Sequence, residues 1–148
     1  MSSIQRTAHA VWQGALDTGH GQLSAESGAF TDLVYTFASR TAEKPEHTDP
    51  EELLAAAHAG CFAMALNSEL TQGKAVPARI EVSAEVTLGP TPDGRRITHS
   101  ALTVEARFDQ AVEADWFQGK LDAADRRCPF SALVRASGAV EVSGMVVR

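Results

Sequence analysis

Alternating apolar and polar positions predict a β-hairpin in the middle of the chain. Apolar side chains alternate with polar ones over Arg79–Leu88, which is typical of a strand with one buried face. A turn at residues 90–94 and a second strand over Arg96–Phe108 complete an antiparallel hairpin. The alternation returns in a last strand, Val140–Val147. Weaker strand patterns lie nearer the N-terminus, at residues 4–13, 22–25 and 32–38.

The strongest helix signal begins at Asp49. Asp49 is a favourable N-cap, Pro50 fits the first helical position, and two glutamates follow where the helix dipole favours negative charge. Residues 53–66 leave almost no polar face, and a helix that is apolar all round is a buried helix. A single domain of this size has little material to cover such a helix on every side. The pattern is therefore a first indication of a dimer.

Two shorter helices are predicted before the last strand. An amphipathic pattern covers Glu113–Arg127, and Cys128-Pro129 opens a second helix that runs to Ala136. No internal repeat and no long linker divides the chain, so we expect a single domain over residues 1–148. The order of strands, long helix, hairpin, helices and strand predicts an α+β fold rather than a series of βαβ units.

Composition and charge exclude several classes of partner. The chain has 148 residues, of which 44% are hydrophobic and 22% charged, with a formal net charge of −6. This acidic balance argues against a nucleic-acid interface and against an anionic membrane surface. The N-terminus has no apolar signal-peptide core and no segment is an uninterrupted membrane span, so we expect a cytoplasmic protein. In that reducing compartment a permanent structural disulfide is not expected.

The two cysteines have opposite surroundings. Cys61 lies within an apolar run, whereas Cys128 follows the charged run Asp125–Arg127. No C-x-x-C pair exists, which disfavours a structural zinc site. If the fold brings the two thiols together, they form a redox pair in which one attacks and the other resolves.

A buried thiol needs a cation to become a reactive thiolate, because burial favours the protonated form. Cys61 lies about ten residues inside its helix, roughly 15 Å from the N-terminus, where the helix dipole no longer helps. An arginine supplied by another segment would serve, and Glu51 or Glu52 would hold it. One glutamate and Cys61 cannot both contact one guanidinium unless the helix bends or a second copy supplies the glutamate. This is a second indication of a dimer.

Each candidate also has a structural interpretation. A cysteine in an alanine-rich helix is often a small core residue. Glutamates placed like Glu51 and Glu52 are more often capping acids than catalytic residues, and an arginine placed like Arg40 is more often a solvated loop residue than an activating cation. His58, three residues before Cys61, fits a packed helix histidine better than a general base.

Cys128 has the stronger local argument for reactivity. It stands at a predicted N-cap before Pro129, and Arg126 and Arg127 precede it. A helix N-terminus and neighbouring cations both activate a thiol.

Two segments resemble the OsmC/Ohr family of thiol-dependent peroxidases, which reduce organic hydroperoxides and, less well, hydrogen peroxide. The run DPEELLAAAHAGCFAMAL from Asp49 to Leu66 resembles the family's first-cysteine helix, and RCPFS at Arg127–Ser131 is similar to its second motif. The order of elements matches along nearly the whole chain. The resemblance implies an OsmC-like fold, with antiparallel sheets wrapped around a long buried central helix in an intertwined homodimer. It also implies that no metal and no organic cofactor is needed.

The same resemblance implies roles for four residues. Cys61 matches the peroxidatic cysteine, Cys128 the resolving cysteine and Glu51 the glutamate of the family's site. The activating arginine is Arg40, because its position after a strand and before the helix loop resembles the OsmC branch rather than the Ohr branch. The implied cycle passes through a sulfenic acid and a Cys61–Cys128 disulfide, which an external dithiol reduces.

Two other functions are compatible with the sequence. On the same fold, the cysteines of a redox sensor or small-molecule-binding protein would respond without sustained turnover. A structural dimer would carry two inert thiols that resist alkylation and oxidation.

Overall fold

The computed structural model describes all residues, Met1–Arg148, and confirms the α+β class. Six strands and four helices occur in the chain. The residues form two compact units, Met1–Leu53 and Leu54–Arg148. The single domain over residues 1–148 stays a prediction.

The first unit contains a three-stranded antiparallel sheet. Its strands are β1 (Ala8–Gln13), β2 (His20–Ala25) and β3 (Leu33–Tyr35), paired in that order. The ring of Tyr35 meets the ring of Trp12 edge-on, with 5.6 Å between centroids. Gly21 permits this close packing, because a Cβ atom there would lie 2.2 Å from the Tyr35 ring.

A short helix that the strand pattern did not predict follows β3. Helix α1 (Phe37–Thr41) occupies the end of the segment that was expected to be a strand over residues 32–38. Thr36 starts this helix, because its side-chain oxygen accepts a hydrogen bond of 3.0 Å from the Ser39 amide. Arg40 therefore lies on the last turn of a helix rather than in a loop.

Helix α2 (Pro50–Gln72) begins where the sequence predicted. The Asp49 carboxylate caps it by accepting a hydrogen bond of 2.8 Å from the Glu52 amide. Within the single chain, however, only one face is buried. Met64 on another face is 77% exposed, so one chain alone leaves part of the helix uncovered. The buried side chains recur every four residues, at His58, Phe62, Leu66 and Leu70.

Helix α2 is also long and apolar enough to cross a membrane by length and composition alone. The core helix of a globular domain has the same property.

The second unit contains a mixed sheet of three strands in the order β4 (Arg79–Thr91), β5 (Gly94–Arg107) and β6 (Ala139–Val147). Strands β4 and β5 form the predicted antiparallel hairpin, with a bulge between Thr87 and Leu88. Strand β6 pairs with β5 in parallel, so the expectation of purely antiparallel sheets is wrong for this sheet. The connection from β5 to β6 is long enough for a parallel crossover because it contains two helices.

Those two helices cover the core of the second unit. They are α3 (Ala114–Arg127) and α4 (Pro129–Arg135), close to their predicted bounds. The core combines side chains of α2, β5 and α3 with Cys128 at the junction of α3 and α4. Both cysteines therefore belong to the second unit, with Cys61 packed against this core. The buried members are Phe62, Leu66, Leu70, Leu102, Val104, Ala106, Phe117, Leu121, Ala124 and Cys128.

Candidate active site

The two cysteines are neighbours in the second unit, although they are distant in the sequence. Both are free thiols, Cys61 packs against the core that contains Cys128, and Cys128 is close enough to affect the pKa of Cys61. Cys61 is partly exposed, whereas Cys128 is only 1% exposed. Cys61 thus keeps some contact with solvent, whereas Cys128 belongs to the buried core.

The surroundings of Cys61 keep its thiol protonated. Burial raises the pKa of Cys61 above its ordinary value, and interaction with the neighbouring Cys128 side chain raises it further. The backbone of Phe130 acts in the opposite direction, because its N–H donates a hydrogen bond that favours the thiolate. Activation of this thiol near neutral pH therefore needs a cation.

Cys128 occupies the predicted N-cap of α4, but not the electropositive surroundings that the sequence suggested. Its side chain accepts no capping hydrogen bond and is buried. Arg127 points to another helix, where its Nη1 donates to Glu69 at 2.5 Å, and Arg126 is exposed. The guanidinium of Arg127 also holds the pKa of Glu69 below its usual value. The Arg127 guanidinium therefore pairs with Glu69 and does not activate the Cys128 thiol.

Arg40 and Glu51 form a two-point ion pair in the first unit. Arg40 donates from Nε to Oε2 at 2.9 Å and from Nη2 to Oε1 at 2.6 Å. Glu52, the other candidate carboxylate, instead accepts from the Thr48 hydroxyl at 2.6 Å. The Glu51 carboxylate raises the pKa of Arg40, so the guanidinium stays charged. Because only Nε and Nη2 are engaged, Nη1 keeps its donors free and has a fixed direction.

His58 is a packed histidine, as predicted. It is fully buried, and both ring nitrogens are hydrogen-bonded: Nδ1 to the Ser100 hydroxyl at 2.8 Å and Nε2 to the Ser131 hydroxyl at 2.9 Å. Burial lowers the pKa of His58, an effect that the Asp125 carboxylate opposes and the Arg135 guanidinium reinforces. The imidazole is therefore neutral near pH 7.

Sequence reasoning missed the partners of His58. Ser100 and Ser131 lie 42 and 73 residues further along the chain, and no local motif connects them to a histidine. The only sequence signal was a polar residue placed on the buried face of an apolar helix.

The four predicted site residues therefore form two pairs. The pair of Arg40 and Glu51 lies within the first unit, and the pair of Cys61 and Cys128 lies within the second. No group of three or more His, Cys, Asp or Glu side chains is arranged to hold a metal ion.

The chain is similar to known proteins over most of its length. A model of the family described as OsmC-like protein matches residues 23–143. The chain is 36% identical to Peroxiredoxin OsmC of Escherichia coli (strain K12) over 134 residues, which are 90% of this chain and 92% of that protein. It is 29% identical to Organic hydroperoxide resistance protein-like 1 of Staphylococcus saprophyticus, over 90% of this chain and 94% of that protein.

A solved structure shows the same fold. The organic hydroperoxide resistance protein OsmC from Legionella pneumophila superposes with a TM-score of 0.74 at 25% identity, covering 97% of this chain and 100% of that chain. The expectation of an OsmC-like fold is confirmed.

Proposed function

The chain belongs to the OsmC-like family, and on that premise we propose that it is a cysteine-based peroxidase that reduces organic hydroperoxides, and hydrogen peroxide less well, in oxidative-stress defence. The similarity to Peroxiredoxin OsmC supports the peroxidase activity, and the similarity to organic hydroperoxide resistance proteins supports the substrate class. The observation that carries the proposal is the pair of neighbouring free thiols, one partly exposed and one buried.

Cys61 is the peroxidatic residue in this proposal, because it is the more exposed of the two cysteines. The Cys61 thiolate attacks the distal oxygen of the hydroperoxide, and the O–O bond breaks. The alkoxide leaves and takes up a proton to become the alcohol. The sulfur is oxidised to a sulfenic acid while the peroxide is reduced.

Cys128 is the resolving residue. Its sulfur attacks the sulfenic sulfur of Cys61, the hydroxyl group leaves as water, and a Cys61–Cys128 disulfide forms. An external dithiol then reduces this disulfide and is itself oxidised, which returns both cysteines to thiols. Burial of Cys128 supports this order, because a peroxide meets Cys61 first.

Arg40 supplies the cation that the buried Cys61 thiol needs, and Glu51 orients it. The two-point pair supports this role, because it fixes the guanidinium and leaves Nη1 with free donors. Arginine stays charged at any pH of interest, so the stabilisation of a thiolate does not depend on its titration.

A homodimer in the cytoplasm is part of the proposal. The exposed apolar face of α2, marked by Met64 at 77% exposure, is the kind of surface that a second copy would cover. Glu51 and Cys61 of one straight helix cannot both contact the same guanidinium. A dimer removes this restriction, because the second copy supplies its own Arg40 and Glu51.

Peroxide consumption by the purified protein tests the proposal. We expect sustained reduction of cumene hydroperoxide or tert-butyl hydroperoxide with excess dithiol, and loss of that turnover in Cys61→Ser with the oligomeric state unchanged. Cys128→Ser is the matched variant, and it should still react once at Cys61 but fail to form the disulfide. Full turnover by Cys61→Ser would exclude the mechanism. Oxidation of the wild type by one equivalent, without turnover under any of several dithiols, would favour a redox sensor on the same fold.

A further inference from the structure

His58 connects the two helices that carry the cysteines. It lies on α2, three residues before Cys61, and its Nε2 is hydrogen-bonded to Ser131 on α4. Ser131 lies in the first turn of α4, three residues after Cys128, which is the N-cap of that helix. On the other side, Nδ1 is hydrogen-bonded to Ser100 on β5. The imidazole thus bridges the sheet, the helix of Cys61 and the start of the helix of Cys128.

Both ring nitrogens of His58 form hydrogen bonds in this bridge while the imidazole stays neutral. A neutral imidazole donates from one nitrogen and accepts at the other, and a serine hydroxyl is able to do either. His58, Ser100 and Ser131 are all fully buried, so neither hydrogen bond competes with water. The charged groups that face the imidazole are Asp125 of α3 and Arg135 of α4, which are paired with each other.

The start of α4 needs such an anchor. The helix has only seven residues, too few to be stable alone, and the Cys128 side chain makes no capping hydrogen bond. A disulfide forms only when the two Cβ atoms lie about 3.8 Å apart with a narrow range of dihedral angles. A small displacement of the first turn of α4 would therefore move Cys128 away from Cys61, together with the Phe130 amide that contacts the Cys61 sulfur.

We propose that His58 is a positioning residue for the resolving step: through its hydrogen bond to Ser131 it holds the first turn of α4 so that the sulfur of Cys128 faces that of Cys61. The role in turnover rests on the proposed peroxidase function. The juxtaposition of the thiols does not, because any oxidant that joins Cys61 to Cys128 depends on the same geometry.

The test compares Ser131→Val with Ser131→Thr. The two replacements have nearly the same shape, and only threonine keeps a hydroxyl for His58. The first measurement is the equilibrium between reduced protein plus glutathione disulfide and the Cys61–Cys128 disulfide plus two glutathione molecules. The equilibrium constant gives the effective concentration of one thiol relative to the other. We expect Ser131→Val to lower this constant by about tenfold, which corresponds to the loss of one buried hydrogen bond. Ser131→Thr should stay within about twofold of the wild type.

The second measurement follows the fate of Cys61 after limited hydroperoxide. In Ser131→Val a larger fraction should pass from sulfenic to sulfinic acid, because resolution by Cys128 is slower, and mass spectrometry measures that fraction. A general loss of stability would not raise the ratio of sulfinic acid to disulfide in the protein that stays folded. If the wild type consumes no hydroperoxide but the glutathione equilibria differ as expected, the proposed function fails and the positioning role stands.

Equal glutathione equilibria in Ser131→Val and Ser131→Thr would overturn the proposal. Should residue 131 not tolerate the extra methyl groups, His58→Gln and His58→Leu make the same comparison from the other end of the hydrogen bond. Glutamine is able to donate to Ser131 and leucine is not. A tenfold difference between these two supports the role of His58, and no difference refutes it.

Discussion

Acidification is expected to weaken the fold through His58. The unfolded chain has an ordinary histidine pKa of about 6.5, whereas burial lowers the pKa of His58 in the folded state. Above pH 6.5 the side chain is neutral in both states, so it contributes no pH dependence. As the pH falls below 6.5 the unfolded state binds a proton that the folded state does not bind, and stability is lost until the folded-state pKa is reached.

The magnitude follows from the binding of one proton. The free energy of unfolding changes by at most about 1.4 kcal/mol for each pH unit in this window. Between pH 7.5 and 5.5 we therefore expect His58 to contribute a loss of up to about 1.4 kcal/mol. Protonation is resisted because the charge would be buried between two serine hydroxyls and next to the Arg135 guanidinium.

Urea denaturation at a fixed protein concentration measures this loss. His58→Gln is the control, because glutamine does not titrate, and the wild type should lose up to about 1.4 kcal/mol more than the variant over the same interval. The ring protons of His58, followed by NMR, give an independent measurement and should titrate at a lower pH than those of an ordinary histidine. An ordinary titration of that ring near pH 6.5, or equal pH slopes in both proteins, would refute the reasoning.

Two further predictions concern packing. Phe62 is fully buried in the core, so Phe62→Ala should lower the free energy of unfolding by about 3–5 kcal/mol in urea denaturation, and a loss below about 1 kcal/mol would contradict the assigned core. Two glycines should respond with opposite signs in thermal denaturation. A Cβ at Gly138 would lie 2.2 Å from the Thr98 carbonyl oxygen, so Gly138→Ala should destabilise by about 1–3 kcal/mol. A Cβ at Gly119, inside α3, meets nothing within 4 Å, so Gly119→Ala should stabilise by about 0.5–1 kcal/mol.

Elements with a strong local signal were predicted closely. Helix α2 begins at Pro50, as the Asp49 cap indicated, and β4 begins at Arg79 as expected. Helix α1 was missed because it has only five residues, too few to show a helical periodicity in the sequence. It begins with one hydrogen bond, from the Ser39 amide to the Thr36 side chain. The direction of β6 was also missed, because alternation along a strand carries no information on the direction of its neighbour.

The candidate site shows the same division between local and distant information. The resemblance selected four site residues, Cys61, Cys128, Arg40 and Glu51. In the structure they are adjacent in two pairs: the two cysteines, and Arg40 with Glu51. The roles of the four residues stay predictions. The electropositive surroundings suggested for Cys128 were wrong, since a neighbour in sequence does not determine where a long side chain points. The Arg127 guanidinium reaches Glu69 instead, 58 residues away in sequence.

The sequence by itself determined the helices α2, α3 and α4, the hairpin and the chemistry available to the protein, because caps, turns and hydrophobic periodicity act within a few residues of the chain. The tertiary structure alone decided which side chains meet, namely the two thiols, and His58 with its two serines. It also decided the parallel pairing of β6 with β5. The physical reason is that a contact between residues 42 or 73 positions apart depends on how whole elements pack. Buried polar groups then have to find partners within that packing.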